Sequence, residues 1–376
     1  MLYKFDFRPY RRPFVRPLAT SHGNWEVREG IILRLTDETG KTGWGEIAPI
    51  SWFGSETLEQ ALDFCQQLPP QITTTDIFSI PAILPACQFG FESAWEWYGR
   101  QEAEPTPNPS QEGNRRQNPP LTPPRRETGG RRQEGRVKPC RDVACNVSTG
   151  WDLTGVSMPD LVLPDFCKKF SYLLPAGKSA LSAWQTPWQQ GYRTFKWKIG
   201  VTAMATELKL FNQLLQELPP SAQLRLDANG GLSEPIAHQW LKAAEEVGIV
   251  EFVEQPLPPE QFDLMLKMAH QYKTPLALDE SVATLNQLEV AYQGGWRGIF
   301  VIKPAIAGSP QRLRELCQVY QLDTVFSSAL ATAISTQAAL QLAAELSNPQ
   351  RAVGFGVNHW FTEDEETWLE KLWNNH

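Results

Sequence analysis

From Ser171 to about residue 357 the chain repeats one rhythm. A short apolar run, rich in β-branched and aromatic residues, leads into an amphipathic stretch with helical spacing, and then another apolar run follows. "RTFKWKIG" precedes "ATELKLFNQLLQEL", "QLRLDANGG" precedes "EPIAHQWLKAAEEVG", and "IVEFVEQPL" precedes "FDLMLKMAHQYK". "PLALDES", "GIFVIKPAIAG", "DTVFSSAL" and "AVGFGV" continue the series, and "FSYLLPAG" (Phe170 to Gly177) supplies a first strand before it. Parallel βαβ units are the structure such alternation allows, and eight of them close into a (β/α)₈ barrel.

Each of these strands but the first and the last ends on a residue that an apolar strand would not choose. They are Lys198, Asp227, Glu254, Asp279 (with Glu280 next), Lys303, and then Ser327 and Ser328, at intervals of 24 to 29 residues. One βα unit separates each from the next, so all fall at the same level, the C-terminal rim where barrels build active sites. Any one of them has a plain structural use: Asp227 could cap the next helix, and Glu254 before "QPLPP" could be a loop charge. Together, buried carboxylates flanked by lysines need a compensating partner. Asp227, Glu254 and Asp279, with no His or Cys among them, suit a hard divalent cation with oxygen ligands, Mg²⁺ first and Mn²⁺ next. The five histidines fall elsewhere, which argues against zinc, and no phosphate-binding glycine loop or nucleophile elbow is present. A cation facing lysines fits removal of a proton from a carbon next to a carboxylate. Lys196 and Lys198 lie two apart on one strand face, so Lys196 would press Lys198 toward its neutral, basic form by like-charge repulsion.

The rest of the chain sets boundaries. Residues 1–99 read as strands followed by helix, an α+β module. Within it "GIILRLTDETGKTGWGEIAPI" reads as a hairpin, with Asp37 to Lys41 as the turn and Gly43 and Gly45 permitting its return, and "SETLEQALDFCQQL" reads as a helix with a Ser cap. Residues 100–145 are rich in Pro, Arg, Gly, Gln and Glu and carry almost no aliphatic side chains, so a disordered insertion is expected there. Its arginines are interleaved with glutamates and lack aromatic neighbours, and the whole chain has a net charge of −7, so nucleic acid is not an expected partner. The barrel is expected over 146–350, with 351–376 packing back on the first module. No apolar run could span a bilayer, the N-terminus lacks a signal peptide's apolar block, and six scattered cysteines form no CxxC pair. A cytoplasmic enzyme is the expectation.

These residues resemble the enolase superfamily, and within it the lysine-based, muconate-lactonizing-enzyme-like branch. "KWK" resembles that branch's K-x-K, "LDAN", "VEQP" and "LDES" its three metal motifs, "IKP" its second lysine, and "GWGEIAPI" the end of a capping-domain hairpin. The resemblance implies an N-terminal α+β capping domain over the barrel and a small-molecule carboxylate substrate. It implies Lys198 as the proton-abstracting base and Lys303 as the group that stabilises the enediolate from across the ring. Asp227, Glu254 and Asp279 would bind Mg²⁺, supported by Lys196, Asn229 and Glu280. Thr20, His22 and Trp25 would belong to a loop closing over the substrate, with Trp52 and Phe53 in a second loop, and Ser327 and Ser328 would touch the substrate. "LLPAG" on the first strand points to the members of the branch that dehydrate a succinyl-hydroxycyclohexadiene-carboxylate. The same machinery would serve a racemase of N-acylamino acids or a dipeptide epimerase. "SSALATAIS" and the insertion depart from the branch's common pattern. A non-catalytic scaffold has no use for such mutually repelling charges.

Overall fold

The structure, a computed structural model, describes residues 1–20, 23–100, 169–356, 360–361 and 363–374. The expected insertion at 100–145 lies outside the described residues, apart from its first residue, as does the stretch 146–168.

The N-terminal module is a four-stranded sheet of order β3-β2-β1-β4, with β1 at Leu2–Thr20, β2 at Gly23–Thr36, β3 at Thr42–Ile47 and β4 at Gln71–Thr73. Alternation decides which side chains go to which face. Tyr3, Phe5, Ile31, Leu33 and Leu35 pack with Ala61, Cys65, Phe91 and Ala94 of the module's own helices. Tyr10, Ile32 and Trp44 form a separate cluster with Ile334, Trp368 and Leu369. The sheet is therefore covered on both sides, by its own helices and by two elements from the far end of the chain.

The β2–β3 turn sits at Asp37 to Lys41 as expected, held by Asp37 Oδ1, which accepts from Thr39 N (2.8 Å) and Lys41 N (2.9 Å). The glycine that makes the turn possible is Gly40, at φ +87°. Gly43 and Gly45 lie inside β3 instead, and a Cβ on Gly45 would overlap the Gly90 carbonyl of the helix Pro85–Arg100. The helix Leu58–Gln67 is capped by Thr57 in a reciprocal box with Gln60, not by the serine before it; Ser55 Oγ accepts instead from Ile50 N.

The second sheet is parallel, in the order β11-β10-β9-β8-β7-β6-β5. Its strands are β5 Ser171–Leu173, β6 Thr194–Lys198, β7 Gln223–Asp227, β8 Val250–Glu254, β9 Leu276–Leu278, β10 Ile299–Ile302 and β11 Thr324–Phe326. Parallel bridges Phe170↔Val353 and Ser327↔Gly354 join the two edge strands through one further short segment, which completes the eighth position. The barrel wall thus runs past the expected boundary at 350. Phe195, Trp197, Leu224 and Leu226 point outward into the layer shared with the helices, and Phe252, Ala277, Ile299, Val301 and Val325 form their own cluster within. Beyond the barrel, the helix Glu365–Asn374 packs its Trp368 and Leu369 on the N-terminal sheet, and Arg12 of β1 pairs with Glu365.

Candidate active site

Because strand residues two apart share a face, the outward Phe195 and Trp197 of β6 place Lys196 and Lys198 on the inner side. Lys198 is in register with Asp227, and Asp227 with Glu254. Asp279 follows β9 directly, Lys303 follows β10, and Ser327 follows β11. Residues spread over 130 positions of sequence thereby meet along one rim.

The three carboxylates are nearly inaccessible, with Asp227 2%, Glu254 1% and Asp279 2% exposed. Lys196 Nζ lies 2.8 Å from Asp227 Oδ2 and 2.6 Å from Glu254 Oε1, and Lys303 pairs with Asp279. Lys196 therefore sits between two anions that balance its charge, and does not stand free to repel Lys198. Lys198, half-buried, has no hydrogen-bond or ion-pair partner among the described residues. Burial works against the Lys196 ammonium, but the charges of Asp227, Glu254 and Asp279 outweigh it and hold its pKa above the ordinary lysine value. Asp227 is held below the usual carboxylate range: burial would raise it, and Lys196 overcomes that. Glu254 goes the other way, raised by burial and by the neighbouring Asp227 charge. Asp279 and Glu280 are also raised, chiefly by burial.

Four buried acidic groups, Asp227, Glu254, Asp279 and Glu280, thus stand beside two paired ammoniums, which leaves the rim room for further positive charge. Its donor set is all oxygen, the set that hard divalent cations prefer. Among the described residues no three His, Cys, Asp or Glu side chains stand gathered as a cage; each of the three carboxylates turns to a lysine. Residue type, burial and charge fit a divalent cation here, with Asp227, Glu254 and Asp279 as the residues that would hold it.

Around these groups lies a shell of hydrogen bonds. Asn229 adopts φ 45°, donates its backbone N–H to Asp227 Oδ1 (3.0 Å) and its side-chain amide to Glu280 Oε1 (3.1 Å). Two further residues escaped the sequence reading. Gln255, fully buried at φ 37°, accepts on Oε1 from Asp279 N (2.9 Å) and Ser281 N (3.2 Å), and donates from Nε2 to Leu257 O (2.9 Å). It ties the end of β8 to the loop that carries Asp279, and its signal was a polar residue placed directly after a strand's terminal Glu. Glu207, 2% exposed, gathers the N–H groups of Gly200, Val201 and Thr202 at 2.7 to 2.8 Å and so fixes the turn after Lys198.

The N-terminal module faces this rim. Thr20 donates its hydroxyl to Gly23 O (2.8 Å) at the end of the β1–β2 hairpin, and His22 lies outside the described residues. Trp25 donates to Val27 O (2.8 Å) and meets Phe14 and Trp52 edge-on. Phe53 reaches Lys303, whose Nζ is 4.0 Å from its ring centroid. Ser327 and Ser328 line a small recess with Ala305, Ala329 and Phe355, and Ser328 Oγ accepts from Leu330 N at 3.0 Å.

A parallel barrel with lysines and carboxylates on successive strand ends, under an α+β cap, defines an enolase-type enzyme. The family model "Enolase C-terminal domain-like" matches residues 180–371, and "MenC, N-terminal domain" matches 6–97. The o-succinylbenzoate synthase of Thermosynechococcus vestitus (strain NIES-2133 / IAM M-273 / BP-1) is 37% identical over 377 residues, 98% of each chain. The solved o-succinylbenzoate synthase of Thermosynechococcus elongatus BP-1, complexed with Mg in its active site, superposes with a TM-score of 0.76 at 35% identity, covering 99% of this chain and all of that one. The L-Ala-D/L-Glu epimerase of Bacillus subtilis shares the fold alone, with a TM-score of 0.68 at 17% identity over 96% and 92% of the two chains. The chain belongs to the o-succinylbenzoate synthase family.

Proposed function

We propose that this protein performs the Mg²⁺-dependent syn-dehydration of 2-succinyl-6-hydroxy-2,4-cyclohexadiene-1-carboxylate to 2-succinylbenzoate, the o-succinylbenzoate synthase step of menaquinone or phylloquinone biosynthesis. Asp227, Glu254 and Asp279 hold the cation, with Lys196, Asn229 and Glu280 supporting them. Bound there, Mg²⁺ supplies the positive charge that offsets the negative charge gathering on the substrate carboxylate as the neighbouring proton leaves. Lys198 takes that proton from the ring carbon, and the C–H electron pair moves toward the carboxylate, to return to the ring as the leaving group departs. The C–O bond on the adjacent carbon then breaks, and the protonated Lys198 returns a proton to the departing hydroxide, which leaves as water. Both events use one face of the ring, so a single lysine serves both. Lys303 holds its positive charge against the developing anion from across the barrel mouth. Thr20 and Trp25 beside the β1–β2 turn, with Ser327 and Ser328 on the rim, contact the substrate, and His22 is assigned to the same contact.

The observation that carries the reading is Lys198, which sits in register with Asp227 and has no hydrogen-bond or ion-pair partner among the described residues, while its neighbours Lys196 and Lys303 are both engaged by carboxylates. The reaction belongs in the cytoplasm, consistent with Cys65, Cys87 and Cys317 all being free thiols. Among the described residues no helix is long and apolar enough to cross a membrane. Mixing the protein with Mg²⁺ and the cyclohexadiene substrate and following loss of diene absorbance tests the proposal. Rapid loss that EDTA abolishes is expected. No loss, together with metal-dependent deuterium exchange at the α-carbon of N-acylamino acids or dipeptides, would replace the dehydration with a racemase or epimerase reaction.

A further inference from the structure

One described residue of the N-terminal module lies directly on the second rim lysine: the Phe53 ring centroid is 4.0 Å from Lys303 Nζ, well within the range at which an aromatic face attracts an ammonium. The backbone that carries Phe53 is fixed at several points. Phe53 N donates to Ile50 O (2.9 Å), Gly54 N to Ser51 O (3.2 Å), and Ile50 N to Ser55 Oγ (2.7 Å). Gly54 takes φ +122°, and a Cβ there would come within 3.2 Å of the Ala283 methyl. Behind Phe53 an edge-on aromatic row runs through Trp52 (5.9 Å), Trp25 (5.7 Å) and Phe14 (5.2 Å) back into the long hairpin. The ring is thus held from behind and presents its face to Lys303.

Among the described residues Lys303 pairs with Asp279 and lies against the ring of Phe53. Asp279 is also one of the carboxylates assigned to the cation, and a carboxylate engaged by a divalent ion attracts a neighbouring ammonium less. We infer that Phe53 is a positioning residue, whose ring face holds the Lys303 ammonium in place when Asp279 serves the metal. The inference rests on the roles of Lys303 and Asp279 proposed above. Phe53 itself exchanges no proton and forms no bond; it acts through Lys303.

Phe53→Leu removes the π face at similar bulk, and Phe53→Tyr keeps it. Each is compared with wild type for kcat, KM and Mg²⁺ binding by calorimetry, after circular dichroism has shown a native fold. In Phe53→Leu, kcat falls about tenfold or more while KM stays within about threefold, and Mg²⁺ binds about three- to tenfold more weakly because Lys303 falls back on Asp279. In Phe53→Tyr all three values stay within about threefold of wild type. The inference is overturned if Phe53→Leu matches wild type in kcat and in Mg²⁺ affinity, or if Phe53→Tyr is as impaired as Phe53→Leu, which would make Phe53 a space-filler. A wild-type protein that neither binds Mg²⁺ nor turns over the diene overturns the reading of the site, and this inference with it.

Discussion

At the scale of single residues, the lysine between Asp227 and Glu254 balances both carboxylates. With no cation bound, Lys196 is what keeps two buried anions tolerable, since removing one partner of a buried ion pair typically costs about 3–5 kcal/mol. Lys196→Met should therefore lower the melting temperature of the metal-free protein sharply. Added Mg²⁺ should restore much of the loss, giving a larger Mg²⁺-induced shift than in wild type. Thermal melts with EDTA and with Mg²⁺ check this; an equal or smaller shift in the variant would show that the cation and Lys196 do not share those carboxylates. The pairing was invisible in the sequence, where two lysines two apart suggest mutual repulsion. Which carboxylates Lys196 would face depends on strands that lie up to 58 residues away in the chain.

Between elements, Glu46 is a joint that ties the cap to the barrel. It is fully buried on β3 and accepts from Tyr10 Oη, from Thr332 N (3.1 Å) and Oγ1, and from Ser335 N (3.2 Å) at the start of the helix Ala333–Leu346. A carboxylate at that helix end also suits the positive end of the helix dipole. Glu46→Ala leaves these donors without an acceptor and should cost on the order of 3 kcal/mol or more in urea unfolding, a measurement that a loss below about 1 kcal/mol would contradict. Much at this scale was legible beforehand. The period-two and helical patterns located the barrel strands, and the polar residue closing strands β6 to β8 marked the rim, because both signals are local. The partners of Glu46 were not legible, since the acceptor and its helix lie 286 residues apart. Nor was Gly45's role, which is set by a helix packing across β3 and not by any turn.

For the whole molecule, the cap is fastened to the barrel by groups that do no chemistry. Glu92, 2% exposed on the helix Pro85–Arg100, accepts from Ser309 Oγ (2.8 Å) and Gln311 N (3.1 Å) at the start of the helix Pro310–Tyr320. Burial outweighs those hydrogen bonds and pushes its pKa up to about 6. A carboxyl whose folded pKa is raised binds its proton more tightly folded than unfolded, so its contribution is complete below the unfolded value of about 4.3 and is lost as pH rises through about 6. The amount is at most about 2 kcal/mol. Glu92→Gln removes this titration, so its stability relative to wild type should rise between pH 4.5 and pH 8; parallel unfolding curves across that window would contradict it. The eighth barrel position was legible as "AVGFGV", yet its link to both edge strands came only with the fold, because two isolated bridges leave little pattern.

The central claim is that Lys198, on its strand end beside Asp227, is the base. Diene consumption by Mg²⁺-loaded wild type and Lys198→Ala, each with native circular dichroism, tests it most directly. Loss of at least about a thousandfold in turnover with Mg²⁺ binding retained is the predicted result, in keeping with the larger effects of removing a general base. Activity surviving within about tenfold of wild type would contradict it, since that is less than a positioned proton-transfer group ordinarily contributes.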